Sequence, residues 1–127
     1  MPTLNKIIGM PEAVAAAICG DVATGLTATG ASQGTALAIY ANHNVFSTVA
    51  ASTGALLPLP AGVPVVGINV GDSLRVSNHG ANALTVYPGV GGQIGTASAN
   101  TGVSVGVNKT AEFVLISATQ WSAIISA

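Results

Sequence analysis

Hydrophobic and polar residues alternate with a period of two over most of the chain from about residue 35 onward. In 73–77, Leu74 and Val76 alternate with serine and arginine, and in 103–107 three valines alternate with serine and glycine. Such alternation is typical of strands that turn one face to a core and the other to solvent. Turn residues separate the alternating runs. They predict eight strands, near 35–41, 45–50, 63–70, 73–78, 83–87, 103–107, 111–117 and 121–126.

Eight short strands at this spacing predict an all-β domain, a single antiparallel β-sandwich or jelly-roll-like barrel. Gly71-Asp72 is the kind of pair that closes a tight hairpin, so we expect strands 63–70 and 73–78 to be neighbours. The run 111–116 is apolar on both faces apart from Glu112. It predicts a central strand, or one whose outer face meets a neighbouring subunit.

Residues 1–30 lack the alternating pattern and are expected to form an extended N-terminal arm, ordered mainly by what it lies against. Pro11 and Glu12 favour the start of a short helix over 11–19, because proline suits the first helical position and an acid suits the positive end of the helix dipole. A linker of small residues follows. Pro11 and Glu12 also interrupt the hydrophobic stretch that a secretory leader requires. The β-domain is then expected to cover 31–127.

Charge is scarce, with three basic and four acidic residues, 6% of the chain, and a net charge of −1. A soluble monomer usually carries charge on about a quarter to a third of its surface. Together with a mean hydropathy of +0.65, this indicates a subunit that buries surface against other copies and whose solubility depends on Ser, Thr, Asn and Gly. The few basic residues argue against direct nucleic-acid binding. Prolines at 58, 60 and 64 break the longest apolar span, so no membrane segment is expected.

Two motifs suggest enzyme chemistry but lack the residues that it requires. Gly102–Gly106 fits the G-x-S-x-G pattern of hydrolases, yet no histidine follows Ser104, as the order of that triad demands. The loop 89–95 holds four glycines after an apolar run. Ile94 stands where a dinucleotide fingerprint needs glycine, and Gly95-Thr96 lacks the lysine of a P-loop. We therefore expect that the chain is not an enzyme and binds no cofactor.

His43 and His79 are the only histidines, and two histidines alone cannot make a closed metal site. A symmetric trimer could gather three copies of one of them on its axis, although exposed turn histidines are the ordinary outcome. The carboxylates show no pair on one rigid element, which acid–base catalysis would need. No catalytic or metal residue is predicted.

Several stretches of the second half carry a resemblance, above all GANALTVYP at 80–88 and the ending from Phe113 to Trp121. Over roughly residues 45–127 the chain resembles a segment that recurs in small virion proteins of tailed bacteriophages. The resemblance implies a β-rich module on the virion exterior, foremost a capsid decoration or cement protein. A tail-fibre or host-receptor-binding module is the alternative.

Composition and resemblance together predict a non-enzymatic structural protein on the capsid exterior. It would bind the major capsid protein across subunit junctions, so that many copies stabilise the shell. We expect a homotrimer that buries the outer face of one sheet, and the loop 89–95 and the turn 78–82 are the first places to inspect for contact with a neighbouring subunit. The candidate interface residues are Phe113, Val114, Leu115 and Ile116 on one strand, and Leu56, Leu57 and Leu59 in the apolar span.

Overall fold

The computed structural model describes residues 21–59 and 68–126 of the chain. Within these ranges the chain forms short strands and one 3-10 turn, Gln33–Thr35, and no helix is long and apolar enough to cross a membrane. The strands are β1 (Val22–Thr27), β2 (Leu37–Ala38), β3 (His43–Thr48), β4 (Gly54–Leu56), β5 (Ser73–Asn78), β6 (Leu84–Tyr87), β7 (Gln93–Ile94), β8 (Val103–Val105), β9 (Thr110–Leu115) and β10 (Gln120–Ile125).

The strands lie in two sheets, and the chain crosses from one sheet to the other after each of its first eight strands. Sheet A has the order β1-β3-β5-β9-β10-β7, and sheet B has the order β2-β4-β6-β8. The first three strands of each sheet are parallel. The later strands reverse, with β8 antiparallel to β6, β9 to β5 and β10 to β9, while β7 lies parallel to β10. The first half of the domain is therefore a stack of coils, each giving one strand to each sheet.

The pairing register gives the length of these coils. Val22 pairs with His43, and Thr27 pairs with Thr48, so the first coil takes 21 residues at both ends of β1. His43 in turn pairs with Arg75, so the second coil takes 32 residues. The additional residues lie between β4 and β5. In sheet B the first coil takes 18 residues, since Leu37 pairs with Ala55. The parallel part of the two mixed sheets is thus built from coils of different length, the second of which carries an insertion.

The core lies between the two sheets and is one cluster of buried apolar side chains. Phe46, Phe113 and Trp121 enter it fully buried from sheet A, and Leu84 and Val105 enter it fully buried from sheet B. Each large apolar side chain buried in this way contributes roughly 1.5–3 kcal/mol. The architecture is therefore sandwich-like, and the sheets do not close into a barrel.

The all-β prediction is confirmed, and the antiparallel prediction is wrong. The run predicted at 73–78 coincides with β5, and most of the other predicted strands overlap an observed one. Five of the eight strand pairs, however, are parallel. The turn signals mark the points where the chain leaves a sheet. After most of these turns the chain enters the opposite sheet instead of folding back along the same one, so most consecutive strands do not pair.

The Gly71-Asp72 turn is present but does not close the expected hairpin. The Asp72 N–H donates to the Asn69 carbonyl at 3.0 Å, and Gly71 has a φ of 101°, which glycine adopts without strain. The strand β5 that follows already has β3 and β9 on its two sides. A strand over 63–70 therefore has no place beside it, and most of that range lies outside the described residues.

The start of the domain also differs from expectation. The sequence pattern assigns residues 22–27 to the arm, whereas they form β1 and pair with β3. In VATGLT only Val22 and Leu26 are large apolar residues, and Thr24 stands between them at the alternating position. The strand conformation therefore depends on pairing with β3 more than on local pattern. The short helix predicted over 11–19 lies outside the described residues.

Candidate functional site

An apolar groove of about 260 Å³ lies at the end of sheet B, where β2, β4 and β6 reach their last residues. Four separate parts of the chain line it: the stretches 56–59 and 89–91, together with Ala38, Tyr40, Ala118 and Thr119. No charged side chain is among these lining residues. Small-molecule sites usually enclose about 300–1,000 Å³ and place a few convergent polar groups. A small apolar groove without such groups suits the side chains of a protein partner better than a polar substrate.

The rim of the groove presents apolar side chains to solvent. Val90, at the tip of the glycine loop, is 76% exposed, and Tyr40 is 53% exposed. Single exposed apolar residues are ordinary on protein surfaces, whereas a groove with two such residues at its rim indicates an interaction site. The groove and its rim are therefore the part of the described surface that we take as the candidate functional site.

Three candidate interface residues from the sequence line this groove. Leu56 is half-buried, and Leu57 and Leu59 form its buried floor. All three follow β4 or lie within it, where the chain leaves sheet B. Residues 56–59, which belong to the apolar span, therefore form one wall of the groove.

The other candidate strand, β9, divides its residues between the two faces. Phe113 and Leu115 are fully buried in the core, while Val114 is half-buried and Ile116 is half exposed. Alternation along a strand produces this split, because successive side chains point to opposite faces. In this conformation Phe113 and Leu115 stabilise the domain, and only Val114 and Ile116 can meet a partner.

The glycine loop is held in place by hydrogen bonds to its own backbone and to side-chain amides. The Gly91 N–H donates to Asn100 Oδ1 at 2.7 Å, the Gly92 N–H donates to the Gly89 carbonyl at 2.7 Å, and the Asn100 N–H donates to the Gly92 carbonyl at 2.8 Å. Gln33 Nε2 donates to the same Asn100 oxygen at 3.1 Å. Phosphate-binding loops present free backbone N–H groups to the ligand. Here the amides of Gly91 and Gly92 already donate to acceptors within the chain, so they are not free to bind a phosphate.

A row of polar side chains crosses the outer face of sheet A. His43 Nε2 lies 2.7 Å from Ser77 Oγ, which lies 2.9 Å from Thr110 Oγ1. Beside this row Arg75 Nε donates to Glu112 Oε2 at 2.8 Å. The residues come from three adjacent strands, β3, β5 and β9, whose register sets them side by side. The sequence pattern assigns His43 to a turn and does not predict this row, because only the pairing of β3 with β5 brings these residues together.

The contact between a histidine and a serine raises the question of nucleophilic catalysis. An activated serine needs access to substrate and donors for the oxyanion. Ser77 is only 4% exposed, and its hydroxyl is shared with Thr110. The row is explained by hydrogen bonding across the sheet, since a buried hydroxyl requires a partner. The absence of enzyme activity stays a prediction.

The pKa of His43 is lowered from its usual value, first by burial and then by the positive charges of Arg75 and His79. The neutral ring is therefore favoured in the folded protein. Among the described residues no group of three or more His, Cys, Asp or Glu side chains could hold a metal ion. That copies of His43 or His79 form no metal site on a symmetry axis stays a prediction about the assembly.

Ser104, the central residue of the GVSVG motif, lies exposed in β8 and pairs with Thr85 of β6. The strand continues through Val105, which is buried, and the chain then turns at 106–109 into β9. A nucleophile elbow requires a strained turn into a helix at the serine. The motif is therefore an ordinary alternating strand.

The fold and the groove define the chain as an all-β domain with two mixed sheets and an apolar surface groove. Comparison of the chain with protein-family models, with curated proteins and with solved structures found no match.

Proposed function

We propose that the chain is a non-enzymatic structural subunit of a bacteriophage virion, a decoration protein that binds the major capsid protein on the outside of the shell. The observation that carries this proposal is the uncharged groove with Val90 and Tyr40 at its rim. An apolar side chain of the capsid protein that filled the groove would gain roughly 1.5–3 kcal/mol. Such a contact is modest by itself, but it is repeated at every copy on a symmetric lattice.

The proposed location on the capsid exterior is tested with purified particles of the phage that would encode the chain. A decoration protein is expected at a copy number comparable with that of the major capsid protein, and in electron microscopy maps its density lies across capsid subunit junctions. A tail-fibre or receptor-binding module is expected in few copies, at the tail. Absence of the chain from purified particles would contradict both.

The groove is tested with two matched valine substitutions. Val90→Asp places a charge at the groove rim, whereas Val107→Asp places the same charge at an exposed valine in the turn between β8 and β9. Because burial of an unpaired carboxylate costs several kcal/mol, Val90→Asp should lower binding to undecorated shells at least about tenfold. Val107→Asp should bind like the unmodified chain. Equal binding by all three proteins would exclude the groove as the attachment site.

We further propose that the subunit is a homotrimer that buries the outer face of β9 and β10. This face presents Ile124, which is 72% exposed, together with Val114 and Ile116. Light scattering at micromolar concentration should give three times the chain mass of 12.3 kDa. Ile124→Glu should convert the trimer to monomer, and Val107→Glu should not. A monomeric unmodified chain would refute the proposal.

A further inference from the structure

The apolar groove borders an open strand edge. Sheet B ends at β2 on one side and at β8 on the other, and among the described residues no strand pairs with the far side of β2. Ala38, the last residue of β2, is exposed and lines the groove. An open, uncharged edge is a template for pairing with another segment. The edge and the groove therefore meet at Ala38.

The backbone of Ala38 directs one donor and one acceptor into this open side. The Ile39 N–H donates to the Leu56 carbonyl at 3.0 Å and so points towards β4. In a strand, successive residues direct their N–H and C=O groups to opposite sides. Those of Ala38 therefore point away from β4, where they meet no partner within the part of the chain that the structure describes.

The side chain of Ala38 lies on the same face of sheet B as the groove. Ala38 pairs with Leu56, and both residues line the groove, whereas Ile39 is buried in the core. A residue directly opposite Ala38 in an added antiparallel strand would exchange both backbone hydrogen bonds with it and direct its own side chain to this face. Because Ala38 presents only a methyl group, that side chain can reach across it into the groove.

We propose that an extended segment of the major capsid protein binds at this edge by strand addition. One residue of the segment pairs with Ala38 through two backbone hydrogen bonds, and its large apolar side chain enters the groove beside Leu56. Exposed sheet edges bind peptides in this way, since main-chain bonds supply affinity and a pocket for a side chain supplies specificity. The proposal rests on the proposed function and adds to it the conformation of the bound partner segment.

The chemistry of the site favours this occupant over a second copy of β2. Two copies paired about a two-fold axis at Ala38 would set Ala38 opposite Ala38. Each groove would then face a methyl group and stay unfilled. A charged residue is also a poor occupant, because no charged side chain lines the groove and burial of an unpaired charge is costly. A segment of another protein that carries a large apolar residue satisfies both the backbone groups and the groove.

Proline substitution tests the added strand, because proline lacks the N–H donor and is tolerated where a strand N–H faces solvent. Ala38→Pro should lower binding to undecorated shells about tenfold, since the partner's carbonyl loses its donor. Ser104→Pro is the matched control on the opposite edge of sheet B. The Thr85 N–H donates to the Thr53 carbonyl of the β4 side at 3.2 Å, so Ser104, which lies opposite Thr85, turns its N–H away from β6.

Ser104→Pro should bind shells like the unmodified chain. Equal binding by the two folded proline variants would overturn the proposal. Loss of binding in Val90→Asp but not in Ala38→Pro would leave the groove as the attachment site and refute strand addition alone. If neither variant loses binding, attachment through the groove fails as well. A change of oligomeric state in Ala38→Pro without loss of shell binding would assign the edge to a second copy and also overturn the proposal.

Hydrogen exchange tests the same contact in the unmodified chain. The Ala38 amide should exchange at least about tenfold more slowly on undecorated shells than in the free chain. The Ile39 amide, which is bonded to β4, should be protected in both states, and the Ser104 amide should exchange fast in both. Equal Ala38 rates in the two states, or an Ala38 amide as protected as Ile39 in the free chain, would overturn the proposal. This measurement decides if Ala38→Pro does not fold.

Discussion

Replacement of Asn78 by aspartate should remove much of the stability that the end of β5 supplies, although the two side chains have the same shape. Asn78 is fully buried at the end of β5. Its Oδ1 accepts from the Gly80 N–H at 2.9 Å, and its Nδ2 donates to the carbonyls of Asn82 and Val105 at 2.8 and 3.0 Å. One amide thus fixes the turn that follows β5 and joins it to β8 in the opposite sheet.

The expected loss in free energy of unfolding follows from these three hydrogen bonds. Each contributes about 1 kcal/mol net, and a buried group left without a partner costs roughly 1–3 kcal/mol. Asn78→Ala should therefore lower the free energy of unfolding by about 3–5 kcal/mol. Asn78→Asp keeps the bond from Gly80 but turns a carboxylate oxygen towards two carbonyl oxygens, and burial adds a desolvation cost. At pH 7 it should cost at least as much as the alanine variant.

The pH dependence of stability shows whether Asn78→Asp destabilises the protein through its negative charge or through its lost hydrogen bonds. Two carbonyls facing the carboxylate raise its pKa in the folded state above the unfolded value, so the folded state binds more protons. The stability of the Asn78→Asp variant should therefore increase as pH falls from 7 towards 4. The difference in free energy of unfolding between Asn78→Asp and the unmodified chain, measured at the same pH, should therefore shrink over this range.

Urea unfolding followed by Trp121 fluorescence measures the effect, because Trp121 is the only tryptophan and is fully buried. With a slope of about 2 kcal/mol per molar urea, a loss of 3 kcal/mol lowers the midpoint by about 1.5 M. Asn69→Asp, at an exposed position, controls for the added charge and should change stability by less than about 1 kcal/mol. A midpoint for Asn78→Asp equal to that of the control at pH 7 would refute the reasoning.

Three further predictions use the same unfolding assay. In Gly80→Ala the new methyl would lie 2.6 Å from the Val49 backbone nitrogen, so the free energy of unfolding should fall by about 1–3 kcal/mol. Gly34→Ala, which has open space around the new methyl, should leave stability nearly unchanged. Equal losses of stability in the two variants would contradict this prediction. Because the pKa of His43 is lowered on folding, stability should fall as pH drops from 7 to 5, and His43→Gln should flatten that slope; an unchanged slope would exclude His43 as its source. Arg75→Ala removes an ion pair whose side chains are 59% and 34% exposed and should cost less than about 1 kcal/mol; a larger loss would show that the pair is not screened.

The polar residues show most clearly where local pattern fails. Asn44 occurs in a stretch that the sequence marks as a turn, and Asn78 occurs where the predicted strand 73–78 meets the turn 78–82, yet both are strand residues with buried side chains. Asparagine is favoured in turns because its amide bonds to nearby backbone. The same amide can satisfy backbone groups from a distant strand, as Asn78 does with Val105. Nothing in the local sequence distinguishes these two uses.

The candidate site was predictable only in part. Leu56, Leu57 and Leu59 stand out in the sequence because they form an apolar run, and they do line the groove. Val90 stands out only as part of the loop 89–95, and Tyr40 stands out only as one residue of the predicted strand 35–41. Their relevance arises from the fold, which brings positions 40, 56, 90 and 118 to one place.

Local pattern was sufficient to predict that the chain is all-β and which residues of its clearest strands share a face, because alternation is a property of each strand alone. The scarcity of charge is likewise a property of composition, and it limits the classes of partner whatever the fold. The packing of the two sheets was needed to establish that most strand pairs are parallel, that Phe113 and Leu115 point inward, and that four distant segments form the groove. The reason is that a period of two gives a strand two faces but does not specify its partner strand, and the partner is set by how both sheets pack on one core.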